Sequence, residues 1–403
     1  MSRSLRVVVG ITGGIAAYKA LGIIRGFVHD GHDVHVVATD AALEFVGRSS
    51  LEALSRNSVS VGLYDDVASV KHVSLGQSAD VVVVAPATAN TIAHIAHGFA
   101  SNLLGNVILA TAGQVVVAPA MHSEMWTNAA TQSNVALLRA RGIAVVGPDS
   151  GALTGEDAGI GRMAEASEIV QASYAALEAR GRRDLAGKKV LISGGGTREP
   201  IDPVRFIGNR SSGRQAVALA RAAAARGAEV TFVRGYLDVE IPVGVDVVEG
   251  LTAEEMLHGM TRLAEQNAIV IMAAAVADYR VAHVSDEKLK KSVDGAPRSL
   301  SLVETTDVLA SLAATPGREY LLVGFAAETV SGDDLESAAR AKLRRKGCDV
   351  LVANHVSWDD GIGSESNSVL ILTRTSDGEV DTAIERASGD KLSVAHRILD
   401  SFV

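Results

Sequence analysis

The chain has 403 residues, of which 47% are hydrophobic, 4% aromatic and 21% charged, and its formal net charge is −9. That length suits about two or three domains, with cores of Ala, Val, Leu and Ile. The negative balance argues against nucleic-acid binding, the single cysteine (Cys348) excludes a disulfide framework and a cysteine metal cluster and fits a reducing cytoplasm, and no apolar run reaches membrane-spanning length.

The first half opens on an apolar strand, Arg6 to Thr12, of the kind buried on both faces of a parallel sheet. Gly13-Gly14 turns it into a helix, Ile15 to His29, and a second strand follows at Asp33 to Ala38. Together they make a βαβ unit with a right-handed crossover. Further strands are expected at Ala79 to Ala85, Gln114 to Ala118 and Ala144 to Val146. Helices are expected at Ile92 to Gly98, Leu103 to Ala112, Val135 to Arg141 and Ala164 to Arg180. Ser150 to Met163 holds four glycines and reads as a mobile flap. The charged connector Arg180 to Lys189 divides a domain over 1–180 from one over 188–403.

The second half repeats the scheme. Strands fit Val190 to Ser193, Glu229 to Arg234, Val245 to Glu249, Ala268 to Ala273, Tyr320 to Gly324 and Asp349 to Ala353. Helices fit Gln215 to Arg226, Ala253 to Gln266, Leu335 to Lys346 and Asp390 to Leu399. Ser368 to Arg374, with Val380 and Ala383, looks like a hairpin-like addition. Alternation of strand and helix in both halves predicts an α/β protein of two doubly wound, Rossmann-like domains with mostly parallel sheets. Ligands then belong at the carboxyl ends of the strands.

Two constellations carry chemistry. In the first half, the Gly13-Gly14 turn (T-G-G-I-A-A) is a phosphate-turn candidate of low specificity by itself. No Tyr-x-x-x-Lys accompanies it, which argues against hydride transfer from a nicotinamide. His72 lies in K-H-V-S-L-G, Thr88 and Asn90 lie in P-A-T-A-N-T, and His122 lies in P-A-M-H-S-E-M-W. In the second half, Gly194 to Gly213 combines a strand end, three successive glycines, Arg198, Arg205, Asn209 and Arg210 before a helix. Strand, glycine turn, polar loop and helix N-terminus are the parts of an anion-binding site. Asp278 in A-A-A-V-A-D-Y, Lys288 in K-L-K-K, Phe325 in G-F-A-A-E-T and Asn354 in A-N-H-V-S continue the series. Taken singly, a strand-edge histidine, a lysine run or a pair of methionines such as Met121 and Met125 has an ordinary structural reading; the ordered set does not.

The first set resembles the flavin-dependent cysteine decarboxylases over roughly the first 180 residues. The second resembles phosphopantothenate–cysteine ligase. In tandem they resemble the bacterial bifunctional enzymes of coenzyme A biosynthesis. The resemblance implies a ligase that activates 4′-phosphopantothenate with CTP as an acyl-cytidylate, releases pyrophosphate and passes the acyl group to cysteine. It implies a decarboxylase that uses FMN to oxidise the cysteinyl thiol to a thioaldehyde, loses carbon dioxide and restores the thiol. His72 then matches the essential histidine, while Gly13, Gly14, Thr39, Thr88 and Asn90 fall at FMN. Asn209 matches the residue that holds the acyl-cytidylate and Lys288 the nucleotide-phosphate lysine. Met272, Ala273, Ala274, Asp278, Thr306, Asp307, Val308, Leu309, Phe325, Lys342 and Lys346 fall where CTP binds. Mg2+ would accompany the triphosphate, with Asp278 as a candidate contact. The resemblance further implies a cytoplasmic homo-oligomer built from trimeric and dimeric contacts, with no nucleic acid and no membrane.

The chain departs from this family at two points. The flap pattern C-G-D-x-G-x-G-R, whose cysteine acts as proton donor, has Gly155 in the cysteine's place and keeps Gly159, Gly161 and Arg162. The P-x-M-N motif has His122 for asparagine. His122 therefore becomes the first candidate for the missing acid, with Glu156, Asp157 and water relayed through the closed flap behind it; the equal alternative is that His122 only copies the asparagine's hydrogen bond to the substrate carboxylate. A ligase-only enzyme with a structural first domain is the alternative.

Overall fold

The computed structural model describes residues 4–63, 71–152, 158–179, 181–290, 299–356, 364, 366–374 and 383–403. Gly155, Glu156, Asp157, Lys291 and Val380 lie outside the described residues. The chain forms two compact units, Met1–Arg183 and Asp184–Val403. No helix among the described residues is long and apolar enough to cross a membrane.

The first unit runs β1 (Arg6–Ile11), α1 (Ala20–His29), β2 (Asp33–Ala38), α2 (Asp40–Leu43), α3 (Arg48–Ser55), α4 (Lys71–Ser78), β3 (Val81–Ala87), α5 (Ala89–His97) and α6 (Leu103–Ala110). It continues with β4 (Gln114–Pro119), α7 (Ser123–Thr127), α8 (Ala129–Ala140), β5 (Ala144–Val145), β6 (Asp149–Ala152), β7 (Ala158–Arg162) and α9 (Ala166–Ala179). Strands β2-β1-β3-β4-β5 pair in parallel in that order. This is the flavodoxin-like order, with its switch point between β1 and β3. Every residue of β3 is buried, which explains a strand written almost wholly in valine and alanine. The helix expected over Ile15 to His29 begins instead as a 3-10 turn, Ile15–Lys19. The tight exit from Gly14 closes first through Ala17 N–H to Gly14 O at 3.0 Å. The flanks of the expected flap are ordered strands, since β6 and β7 pair as an antiparallel hairpin.

The second unit runs β8 (Lys189–Gly194), β9 (Arg198–Pro200), β10 (Phe206–Gly208), α10 (Arg214–Ala225), β11 (Glu229–Arg234), β12 (Asp246–Glu249), α11 (Ala253–Ala264) and β13 (Ile269–Met272). There follow β14 (Tyr279–Val281), β15 (Leu302–Glu304), α12 (Val308–Ala313), β16 (Leu321–Glu328), α13 (Gly332–Lys346), β17 (Val350–His355), β18 (Ser366–Thr373), β19 (Ala383–Asp390) and α14 (Lys391–Asp400). Its main sheet has the order β12-β11-β8-β13-β16-β17-β18-β19. The first six strands are parallel, in the 3-2-1-4-5-6 order of a dinucleotide-type fold. Strands β18 and β19 add an antiparallel edge, the expected hairpin.

Side chains alternate across this sheet. Val190, Ile192 and Ile271 pack with α10 and α14 on one face, whereas Leu191, Val270 and Met272 pack with α11, α12 and α13 on the other. Helices thus cover both faces and leave the carboxyl edge of the strands open.

Candidate active sites

In the first unit the switch point is fastened by Thr12, which is 2% exposed. Its hydroxyl donates to Pro86 O at 2.7 Å and accepts from Thr88 N–H at 3.3 Å, so the ends of β1 and β3 are held together. Thr88 caps α5 by accepting from Thr91 N–H, and Thr39 caps α2 by accepting from Ala42 N–H. Asn90 is exposed in the first turn of α5 rather than in a loop. Gly13 is required sterically, because a Cβ there would lie 2.6 Å from Ala41 Cβ. A Cβ on Gly14 would meet nothing within 4 Å, so the turn opens onto free space beside these groups. Gly13, Gly14, Thr39, Thr88 and Asn90 therefore share the carboxyl ends of β1, β2 and β3.

His72 does not stand at a strand edge; it lies, half-buried, in the first turn of α4. That helix leads into the amino end of β3, so its own first turn lies toward the carboxyl edge of the sheet. Gly76 lets α4 approach α6 closely, since a Cβ there would meet Val107 O at 2.7 Å.

His122 is exposed just ahead of α7, and its carbonyl accepts from Met125 and Trp126 N–H at 3.0 Å. The returning strand of the flap lies against this turn. Met121 N–H donates to Gly161 O at 3.0 Å, and a Cβ on Gly161 would stand 2.0 Å from Met121 O. A Cβ on Gly159 would stand 2.4 Å from Ser123 Oγ. Both glycines are thus set by close approach. Beyond the hairpin, Lys19 Nζ donates to Met163 O and to Glu165 Oε1, each at 2.9 Å. The Lys19 hydrogen bond holds the Glu165 carboxyl below the usual carboxylate range.

In the second unit the switch point lies between β8 and β13. Ser193 Oγ accepts from Ala274 N–H at 3.2 Å, Ala275 N–H donates to Gly195 O at 2.8 Å, and Thr197 Oγ1 accepts from Ala277 N–H at 2.9 Å. These bonds bind the glycine loop to the Met272–Asp278 segment. Gly195 (φ 88°) and Gly213 (φ 72°) occupy left-handed backbone that favours glycine. A cavity of about 540 Å³ opens at this edge. It is lined by Asn209, Met272, Ala273, Ala274, Asp278, Thr306, Asp307, Val308, Leu309, Phe325, Lys342 and Lys346. Asn209 Nδ2 donates to Val276 O at 2.9 Å. Lys342 pairs with Glu328 at 2.9 Å, and Lys346 pairs with Asp307. Burial works against the Asp307 carboxylate, but Lys346 and the Ala310 N–H outweigh it and hold that carboxyl below its ordinary range. Lys288 is not among the lining residues and is exposed. Its neighbour Leu289 is tied to Asp202 and Arg205, through Leu289 N–H to Asp202 Oδ2 (3.1 Å) and Arg205 Nη1 to Leu289 O (2.7 Å).

Residues 1–178 match the flavoprotein family model, and residues 185–403 match that of the DNA/pantothenate metabolism flavoprotein C-terminal domain. The chain is 46% identical to the coenzyme A biosynthesis bifunctional protein CoaBC of Mycobacterium bovis, over 99% of this chain and 96% of the relative. The chain belongs to the bifunctional coenzyme A biosynthesis protein family. The same protein of Mycolicibacterium smegmatis is 46% identical over 100% of this chain and 98% of its own, and that of Escherichia coli is 41% identical over 94% and 93%. As a member of this family the chain is a coenzyme A biosynthesis enzyme with decarboxylase and ligase activities.

Within this bifunctional enzyme the sequence reading missed several groups that line the second cavity. Arg214, Gln215 and Lys391 are among them, as are Arg345 and Asn367. Arg214 directly follows the Ser211-Ser212-Gly213 loop, so the loop could have signalled it. Lys391 is brought in only by the fold, 176 positions from Gln215, whose Nε2 donates to Lys391 O at 3.1 Å.

Proposed function

We propose that the second unit joins 4′-phosphopantothenate to cysteine with CTP through an acyl-cytidylate. The first unit then converts 4′-phosphopantothenoylcysteine to 4′-phosphopantetheine with FMN. The observation that carries this reading is the cavity at the β8/β13 switch point, which gathers Asn209, Asp278, Phe325, Lys342 and Lys346.

In the ligase unit, Lys342 and Lys346 supply cations against charge developing on the nucleotide phosphate. Their carboxylate partners, Glu328 and Asp307, fix them in place before substrate arrives. Asn209, anchored through Val276 O, presents its amide to the acyl group at the mouth of the cavity. No group of three metal-ligating side chains occurs among the described residues. A magnesium ion would accompany the triphosphate, with Asp278 as the carboxylate offered to it. Lys288 contributes from the adjoining segment rather than from the cavity wall.

In the decarboxylase unit, the Gly13-Gly14 turn, Thr39, Thr88 and Asn90 would hold FMN, and the free space at Gly14 suits an approaching ligand. When bound, the flavin supplies reversible two-electron oxidation of the cysteinyl carbon–sulfur group. His72 handles a proton at the substrate, and His122, beside the flap, returns one to the product. Exposed apolar side chains such as Ile15, Tyr18 and Phe99 in the first unit, and Val204 and Phe206 in the second, fit a homo-oligomer.

Pyrophosphate release with 4′-phosphopantothenate and cysteine is expected to be at least about ten-fold faster with CTP than with ATP, a difference of about 1.4 kcal/mol. Equal or faster release with ATP would contradict the nucleotide assignment.

A further inference from the structure

Lys288 lies outside the cavity of the second unit, exposed, on a segment with no helix or strand of its own. A carboxylate from an earlier part of the chain holds that segment. Strands β9 and β10 form a hairpin in which Arg198 pairs with Gly208, so Asn209 follows directly at its base. The hairpin turns through Ile201 to Arg205. In that turn the Asp202 side chain is 0% exposed, although Pro203, Val204 and Arg205 are exposed. Enclosing a carboxylate is costly unless both its oxygens are hydrogen-bonded.

The two oxygens of Asp202 have different tasks. Oδ1 accepts from Val204 N–H and Arg205 N–H, each at 2.8 Å, and so shapes the turn of its own hairpin. Oδ2 accepts from Leu289 N–H at 3.1 Å and from Arg205 Nη1 at 3.1 Å. Arg205 Nη1 also donates to Leu289 O at 2.7 Å, so the main-chain N–H and carbonyl of Leu289 are both held. Ser285 N–H donates to Ile201 O at 3.0 Å and lays the same segment along the hairpin.

We propose that Asp202 is a positioning residue for the ligase: through Oδ2 it fixes the backbone beside Lys288, from which the lysine serves the nucleotide phosphate. This inference rests on the ligase reading above. A misplacement of about 1 Å, even one caused far from the chemistry, can cost about 10²-fold in rate. One hairpin thus sets two groups, Asn209 through its base and Lys288 through its turn. Asparagine at position 202 separates the two tasks of the carboxylate. Its carbonyl oxygen can take the place of Oδ1 and keep the turn. Its NH2 then takes the place of Oδ2 and meets two donors, Leu289 N–H and Arg205 Nη1, where an acceptor is needed.

The test uses the full chain. Asp202→Asn is expected to lower kcat for pyrophosphate release with CTP at least about ten-fold. KM for 4′-phosphopantothenate should stay within about three-fold of the parent. Lys288→Gln should lose as much or more, and the double variant should lie within about two-fold of Lys288→Gln alone, because Asp202 acts through the lysine. A residue that only stabilised the fold would give losses that multiply. Multiplied losses, or an Asp202→Asn chain as fast as the parent, overturn the inference. Amide exchange followed by mass spectrometry gives a readout apart from activity. The peptide holding Leu289 should exchange at least about ten-fold faster in Asp202→Asn, while the peptide holding Val204 exchanges as in the parent. Unchanged exchange at Leu289 overturns the tie. Should the variant fail to fold, the parent decides: its Leu289 amide should be protected before any substrate is added, and exchange there at the rate of an open chain overturns the proposal. A parent that makes no ligated product, or a Lys288→Gln chain at the parental rate, overturns the ligase role of Lys288 and this inference with it. A crippled Lys288→Gln beside a fully active Asp202→Asn counts against Asp202 only.

Discussion

His72→Asn is expected to lower decarboxylation by about 10²–10⁴-fold while leaving ligation at the parental rate. The side chain lies in the first turn of α4, on the carboxyl edge of the first unit's sheet, where Thr88 and Asn90 also stand. Imidazole can take or give a proton near neutral pH, and asparagine of similar size cannot. The ligase cavity is lined wholly by residues of the second unit, so it has no need of His72. Mass spectrometry of the reaction should show 4′-phosphopantothenoylcysteine accumulating, with flavin absorbance retained. Decarboxylated product forming at the parental rate would return His72 to a structural role on α4.

Arg226→Ala is expected to destabilise the second unit by about 3 kcal/mol. Arg226 is 1% exposed and sits between two carboxylates. Nη2 meets Asp184 at 2.5 Å and Nη1 meets Asp400 at 2.8 Å, so the guanidinium clamps the first residue of the unit to its last helix. Removing one partner of a buried ion pair leaves charge uncompensated, and the estimate sits at the low end because Asp184 and Asp400 are 36% and 31% exposed. Loss of ligase activity should shift to lower urea concentration, while the flavin spectrum of the first unit should titrate as in the parent. The triple change Arg226→Met, Asp184→Leu, Asp400→Leu should recover most of the loss, since an apolar replacement of a whole ion cluster is often near neutral. A urea midpoint unchanged in Arg226→Ala would show that the clamp contributes little.

Much of the fold was legible because buried parallel strands announce themselves as apolar runs between glycine turns. Strands β2 and β11 have the bounds read from sequence, each following a glycine, Gly31 and Gly227, in left-handed backbone. Short polar helices were not legible. The α4 sequence K-H-V-S-L-G-Q-S has little apolar periodicity and contains a glycine, so His72 read as a strand-edge residue. Helix α8 begins earlier than Val135 because Asn128 caps it through Ala130 N–H, while the intervening A-A-T-Q-S-N offers no apolar stripe. Part of the second cavity's lining stands out in the sequence because Met272 to Asp278 runs on from the end of β13 and Phe325 lies in β16, both apolar strands followed by small residues. Lys391 does not, since only the long return of α14 onto α10 brings it there.

The central claim is that one chain carries both chemistries in sequence. It is tested most directly by supplying the purified, flavin-loaded protein with CTP, cysteine and 4′-phosphopantothenate and following both products by mass spectrometry. The account predicts that 4′-phosphopantothenoylcysteine rises first and then gives way to 4′-phosphopantetheine. Ligated product that accumulates without any loss of carbon dioxide would contradict it and leave the first unit a structural partner of a ligase.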